Sequence, residues 1–253
     1  MERLLGYDVM DSSLEDCVEQ ILEHVAARRR GGTLACLNPH SYAVARGDTA
    51  FAAALRQATW LVPDGAGVVL ASRLLGGAIR QRIAGPDVFL RLHERLDAIG
   101  GVRVFFLGAS EDTLSRMLER IALEHPGIVF AGALSPPFTE QFSDAENAAM
   151  VAAVNGAAPD VLWIAMTAPK QEKWLHTHRE LIAAPLCRRG RRGLRLLRRQ
   201  GAAIVAMVPA PRARVAAALA ARATALVATH LCLGAGLPVR CAARAVAPTN
   251  DSY

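Results

Sequence analysis

From its first residues to about residue 181 the chain alternates short apolar runs with longer amphipathic stretches, and this alternation restricts the fold more than any other feature. "LLGYDVM" (4–10), "TLACLN" (33–38), "TWLV" (59–62), "VRVFFLG" (102–108), "IVFAGAL" (128–134) and "DVLWIAM" (160–166) read as strands. Between them lie helical patterns. Asp11, Ser12 and Ser13 offer N-caps to a helix whose Leu14, Cys17, Ile21, Leu22 and Val25 share one face. "HSYAVARGDTAFAAALRQA" is helical with a break near Gly47. "EDTLSRMLERIALEH", closed by Pro126-Gly127, "SDAENAAMVAAVNGAAP" and "APKQEKWLHTHREL" are three more helices. Strands that are apolar on both sides, rather than alternating, are covered on both faces. The expectation is therefore an α/β fold: a Rossmann-like parallel sheet with helices on both faces.

In such a sheet ligands bind beyond the carboxyl ends of the strands. The candidate loops are then "CLNPHS", "VPDGAG", "FLGAS" and "AMTAPKQE", each with polar or glycine residues directly after an apolar strand. Asp64, between Pro63 and Gly65, has two roles open to it. It caps the helix that follows, or it works as a base beside the bare N–H groups and positive dipole end of a Gly65-Ala66-Gly67 helix start, a setting suited to a phosphate or sugar hydroxyl. "FLGAS" lacks the G-x-G-x-x-G dinucleotide fingerprint, but Gly108 and Ala109 suit a turn around a nucleotide phosphate or base. Pro169 starts a helix that projects Lys170 and Gln171 near a strand end; a plain surface helix start with Glu172 as its dipole partner is the competing reading. Asn38 and His40 offer an amide and an imidazole after the second strand. No Asp-x-Asp occurs anywhere, so the usual carboxylate pair for a divalent metal on a sugar nucleotide is missing.

Composition divides the chain. Residues 1–180 hold 17 basic and 22 acidic side chains, whereas residues 181–253 hold 12 Arg and a single acid, Asp251. The five cysteines are scattered without metal-ligand spacing, as expected of reduced thiols. The first residues lack a signal-peptide core. The most apolar run, "ATALVATHLCLGAGLPV" (223–239), is interrupted by His230, two glycines and a proline, so no membrane span is expected and a cytoplasmic location is.

"NPHSYAVAR", "LVPDGAGVVLASRLLGGAIRQRIAGPDVF", "RVFFLGAS" and "MTAPKQEKWL", in this order and spacing, resemble the WecG/TagA/CpsF family of bacterial glycosyltransferases over roughly residues 4 to 187. The resemblance implies inverting transfer of a sugar from a UDP-sugar donor to a polyprenyl-pyrophosphate-linked acceptor, in the synthesis of a surface polysaccharide, teichoic acid linkage unit or common antigen. The enzyme would sit peripherally at the inner face of the cytoplasmic membrane. It implies Asp64 as general base, with Asn38 and Gln171 as further catalytic residues. Arg82, Gly85 and Asp87 match the family's R-x-x-G-x-D pattern and join His40, Gly65, Gly67, Gly108, Ala109 and Lys170 as substrate-binding candidates. No metal, cofactor or nucleic-acid partner is expected, and a homo-oligomer is compatible with the family. The family often has Thr where this chain has Cys36, to which no catalytic role is assigned. Glucose, N-acetylmannosamine and its uronic acid are all compatible as the sugar moved. A nucleotide-sugar-binding protein of the same fold without turnover is the alternative.

The core is thus expected over 1–187 and an aberrant basic segment of low order over 188–253. From about Cys187 the chain reads as translated out of frame. Moving one nucleotide forward from Arg188 permits V-G-V-G-A-A-F-D-F-F-A-G. Further on, Arg212 to Ala216 permit G-L-E-W-L and Arg222 to Leu226 permit E-P-R-R-L. These strings resemble the family's continuation in order and spacing. The competing readings are an Arg-rich membrane-surface appendage and a disordered basic tail; against the first, the arginines of 188–199 fall on all sides of a helix rather than one.

Overall fold

The computed structural model describes residues 1–182 and the backbone of Ala203–Ala206. The segment expected to be aberrant, 188–253, lies otherwise outside the described residues, as do Cys187, Cys232 and Cys241. All the described residues lie within the unit Met1–Ala210.

The first element differs from expectation. "LLGYDVM" is not one strand but the turn and second arm of a hairpin. β1 (Glu2–Leu4) pairs antiparallel with β2 (Tyr7–Val9), Leu4 opposite Tyr7. Leu5 (φ 52°) and Gly6 (φ 86°) both take left-handed conformations, the two-residue turn whose twist matches that of the strands. Leucine is an uncommon occupant of such a position, so the turn carried no ordinary signal.

The remaining elements follow the alternation. α1 (Leu14–Ala26) starts with a reciprocal cap, Asp16 N–H donating to Ser13 Oγ and Ser13 N–H donating to the Asp16 carboxylate. Then come β3 (Gly32–Leu37), α2 (Pro39–Ala45), α3 (Thr49–Arg56), β4 (Trp60–Pro63), α4 (Ala66–Leu74) and α5 (Gly85–Ile99). β5 (Arg103–Gly108), α6 (Glu111–Glu124), β6 (Val129–Leu134), α7 (Asp144–Ala157), β7 (Val161–Ala165) and α8 (Lys170–His178) complete the continuous part, and β8 (Ala203–Ala206) is the last strand among the described residues.

β3 to β8 form one sheet in the order β4-β3-β8-β7-β5-β6, parallel throughout. Alternate residues of each strand therefore serve opposite faces. Leu34, Trp60, Val62, Val104, Phe106, Val161 and Trp163 pack on one face against α1, α5 and α6. On the other face the described residues form two clusters. Ala35, Leu37 and Leu61 meet α2, α3, α4 and the hairpin, while Phe105, Leu107, Leu162 and Ile164 meet α7 and α8. Between the strands of these two clusters runs β8, of which the backbone alone is described. Because all strands run the same way, the loops after β3, β4, β5 and β7 open along a single edge.

His93, on α5, belongs to the undivided face. It is fully buried, its Nδ1 lies 2.8 Å from the Phe89 carbonyl, and its ring stacks near Trp163 and Phe106.

Candidate active site

Leu37 and Pro63 are register partners at the ends of β3 and β4, so the next residues, Asn38 and Asp64, are neighbours across the sheet edge. Asp64 N–H extends the pairing by donating to the Leu37 carbonyl at 2.8 Å. Asn38 is the N-cap of α2. Its Oδ1 accepts the Ser41 N–H at 2.8 Å, and Ser41 Oγ in return accepts the Asn38 N–H. With the oxygen end committed to the cap, the amide's Nδ2 is left to donate to Asp64 Oδ2, at 3.4 Å. One side chain thus starts a helix and orients a carboxylate.

Asp64 does not cap α4. The N-cap of that helix is Gly65, at φ 105°, and no side chain accepts from its first turn. The carboxylate is instead half-buried beside exposed backbone donors. Burial raises its pKa above the ordinary aspartate value, against the lowering influence of the Asn38 hydrogen bond and the Arg82 charge; the Asp87 charge adds to the rise. A carboxylate held this way is a stronger base than a free aspartate.

Arg82 and Asp87 form an exposed ion pair at 3.5 Å, and their loop is tied to the end of β4 by the Ile83 N–H donating to the Pro63 carbonyl. Gly85 opens α5, which also lacks a side-chain cap. A Cβ on Gly85 would stand 3.2 Å from Cys36 Sγ. Burial, the Asp64 charge and the Glu172 charge, in that order, push the Cys36 thiol far up, so it stays protonated. Gly67 is needed for packing: a Cβ there would lie 2.6 Å from Pro39 Cγ, because the first turn of α4 rests on the first turn of α2. His40 is exposed on α2.

At the end of β5, Gly108 (φ 110°) and the next residue, Ala109 (φ 60°), are successive residues of positive φ. A Cβ on Gly108 would be 2.6 Å from the Ala165 carbonyl oxygen, which also accepts the Ala109 N–H at 2.8 Å. This loop is bound to the end of β7.

The sequence comparison adds one decisive observation. The profile of the Glycosyl transferase WecG/TagA/CpsF family matches residues 2–189, most of the chain. The protein belongs to the WecG/TagA/CpsF family. Among its curated relatives, an N-acetylglucosaminyldiphosphoundecaprenol N-acetyl-beta-D-mannosaminyltransferase of Bacillus spizizenii (strain ATCC 23059 / NRRL B-14472 / W23) is 31% identical over 175 residues, 69% of this chain and 65% of the relative. Proteins of the same name from Bacillus subtilis (strain 168) and Staphylococcus aureus (strain NCTC 8325 / PS 47) are 30% and 27% identical, over 72% and 69% of this chain and 68% and 66% of their own lengths. The matched part spans about two thirds of these relatives.

In this WecG/TagA/CpsF chain the competing reading of a plain surface helix start at Pro169 does not hold, because the turn is buried. Gln171 is fully buried and its amide donates to Glu172 Oε1 at 2.9 Å. Gln171 Oε1 and Glu172 Oε2 have no partner among the described residues. Burial raises the pKa of Glu172, against the Gln171 hydrogen bond. Lys170 is engaged elsewhere: its ammonium donates to the Thr139 carbonyl at 2.5 Å and lies over the Phe142 ring. Sequence reasoning missed Ser41 as the anchor of Asn38 and Glu172 as a buried acid. The nearby Trp174, buried with its indole donating to Asn147, is the clue that this turn faces inward. Among the described residues no three His, Cys, Asp or Glu side chains gather as metal ligands, and no helix is long and apolar enough to cross a membrane.

Proposed function

We infer that the chain is built as an inverting glycosyltransferase, with Asp64 as the general base that takes the proton of the acceptor hydroxyl as it attacks a UDP-sugar. The observation that carries this reading is the Asp64–Asn38 pair: a half-buried, basic carboxylate, oriented by a fixed amide, next to an uncapped helix start. The acceptor hydroxyl would lose its proton to Asp64 Oδ as the new glycosidic bond forms and the bond to the UDP phosphate breaks. Arg82, beside the pair, supplies positive charge for the departing diphosphate, and the free N–H groups of α4 supply further donors. The relatives' name supports a polyprenyl-diphosphate-linked N-acetylglucosamine as acceptor and N-acetylmannosamine as the sugar moved. Such an acceptor would place the protein peripherally on the inner membrane face.

The test is product formation from a radiolabelled UDP-sugar and a polyprenyl-pyrophosphate sugar. Asp64→Asn keeps the shape and removes the basicity, so turnover should fall by about 10²–10⁴ with the fold unchanged. Near-normal turnover in that variant would reject Asp64 as the base. One observation favours binding without turnover: the family match stops at residue 189, where the Arg-rich sequence begins. UDP-sugar binding by calorimetry with no product from any acceptor would select that reading.

A further inference from the structure

Among the described residues, one aromatic ring stands fully in solvent. Phe138, in the loop between β6 and α7, is 103% exposed, whereas Phe51, Phe105 and Phe106 are buried. The loop that carries it is tied down on both sides. Before it come Pro136 and Pro137, each with φ fixed by its ring. Ser135 Oγ donates to the Ala109 carbonyl at 2.7 Å. After it, the Thr139 carbonyl accepts from the Lys170 ammonium, which also lies 3.4 Å from the centre of the Phe142 ring. The Thr139 N–H donates to the Pro137 carbonyl at 3.0 Å, closing a three-residue turn with Phe138 at its tip. A ring held out in water by such a loop has its ordering cost met before any partner arrives, and it keeps an apolar face for a flat one.

The place of the loop indicates which flat partner. β6 is parallel to β5 and β7, so its loop opens at the edge that carries Asn38 and Asp64. Its ties to Ala109 and Lys170 hold it at the ends of β5 and β7. In the order β4-β3-β8-β7-β5-β6, β7 is two strands from β3 and β5 is three, which sets Phe138 roughly 10–15 Å along the edge from Asn38. Charge is graded along the same edge. Arg82 is kept at the Asp64 end by the Ile83 N–H bond to the Pro63 carbonyl. At the Phe138 end Lys170 is already engaged, and the charged residue next in sequence is the acid Glu140. The Arg82 end suits a diphosphate; the Phe138 end suits a neutral heteroaromatic ring. A sugar nucleotide laid along this edge, with its sugar at Asp64 and its diphosphate at Arg82, would carry its base toward Phe138.

We propose that Phe138 is the platform on which the base of the donor nucleotide stacks, and that Lys170 serves the donor by holding that platform rather than by meeting a phosphate. The proposal rests on the transferase reading for the identity of the ligand, a uridine diphosphate sugar.

The test reads binding by the full chain. Phe138→Ala should weaken uridine and UDP by about tenfold or more, and Phe138→Tyr should leave both near the wild-type value. Inorganic pyrophosphate should bind all three proteins alike, and Tm should not move, because Phe138 buries nothing. Lys170→Met should weaken uridine and spare pyrophosphate. Phe138→Trp adds an exposed indole to the buried Trp60, Trp163 and Trp174; uridine should quench its emission and ribose 5-phosphate should not. Equal UDP affinity in Phe138→Ala and wild type, or an equal loss for pyrophosphate, would overturn the proposal. A pyrophosphate loss in Lys170→Met would overturn its second half. A fall in oligomer mass on Phe138→Ala with UDP binding intact would make the ring a contact between copies instead. The two readings fail differently. Uridine quenching at position 138 with no product from any acceptor rejects the transferase reading alone. Product formed by Phe138→Ala with an unaltered KM for the donor rejects the platform alone. Wild-type protein that binds no UDP rejects both.

Discussion

Acidification should weaken this protein through one histidine. His93 Nδ1 is bonded to the Phe89 carbonyl, so Nδ1 carries the ring proton and the Nε2 lone pair has no partner among the described residues. Protonating Nε2 would place a cation among Phe89, Phe106 and Trp163. Burial, offset by the Phe89 bond and reinforced by the His125 charge, pushes the pKa from 6.5 down to about 4. Between these values the unfolded chain binds a proton that the folded chain refuses, so stability falls as pH falls from about 6.5 to 4 and levels off below. At about 1.4 kcal/mol per pKa unit the full effect is about 3 kcal/mol; about 1 kcal/mol is lost by pH 5.5 and about 2.5 by pH 4.5. Urea unfolding followed by tryptophan fluorescence at pH 7, 5.5 and 4.5 measures this in the wild type and in His93→Leu. Asp64, Asp160 and Glu172, whose pKa values burial raises, act in the opposite sense; they and His24, also lowered, are common to both proteins and cancel in the difference. Equal losses in the two proteins, or a His93 resonance titrating near pH 6.5, would refute the reasoning.

Other outcomes test the site. Asn38→Ala should cost about 1 kcal/mol of stability by uncapping α2 and should move the acid limb of the pH–rate profile upward, since the bond that lowers the Asp64 pKa is gone; an unmoved limb would separate Asn38 from Asp64. Gly67→Ala should destabilise by about 1–3 kcal/mol because of Pro39 Cγ, and Pro39→Ala should recover much of it, which a double-mutant cycle in Tm measures. UDP affinity should be the same with and without chelator, because the chain has no Asp-x-Asp; a large chelator-dependent loss contradicts this. Sequencing the coding DNA across codons 180–195 tests the frame change: codons that forbid the shifted strings, in an intact frame, would end it.

The parallel sheet was legible because strands buried on both sides leave unbroken apolar runs, and "VRVFFLG" and "DVLWIAM" need no partner to be recognised. Leu5-Gly6 was not, since a leucine in a left-handed turn carries no compositional mark. Asp64 shows where local reading stops. Whether it caps a helix depends on Gly65's backbone and on an amide 26 positions earlier in sequence, brought alongside only by the β3–β4 register. Glu172 was misjudged for a related reason: "KQEK" has the polarity of a surface turn, and only the packing of Trp174 and Leu175 turns its middle inward. Gly67 looked like a place for a ligand to approach and is where two helix starts touch.

The last described strand of the sheet in sequence is the third in space. Until β8 leaves the ribosome, β4-β3 on one side and β7-β5-β6 on the other have no shared hydrogen bonds, although one face already offers both a common core. Chain ends are ordinarily where sequence change is best tolerated, because they sit at margins. Here the direction of synthesis and the layout of the sheet are at odds: the codons read after residue 182 determine the strand that joins the halves. A coding error after residue 182 would therefore strike the middle of the sheet, after the strands on both sides of it had been made without fault.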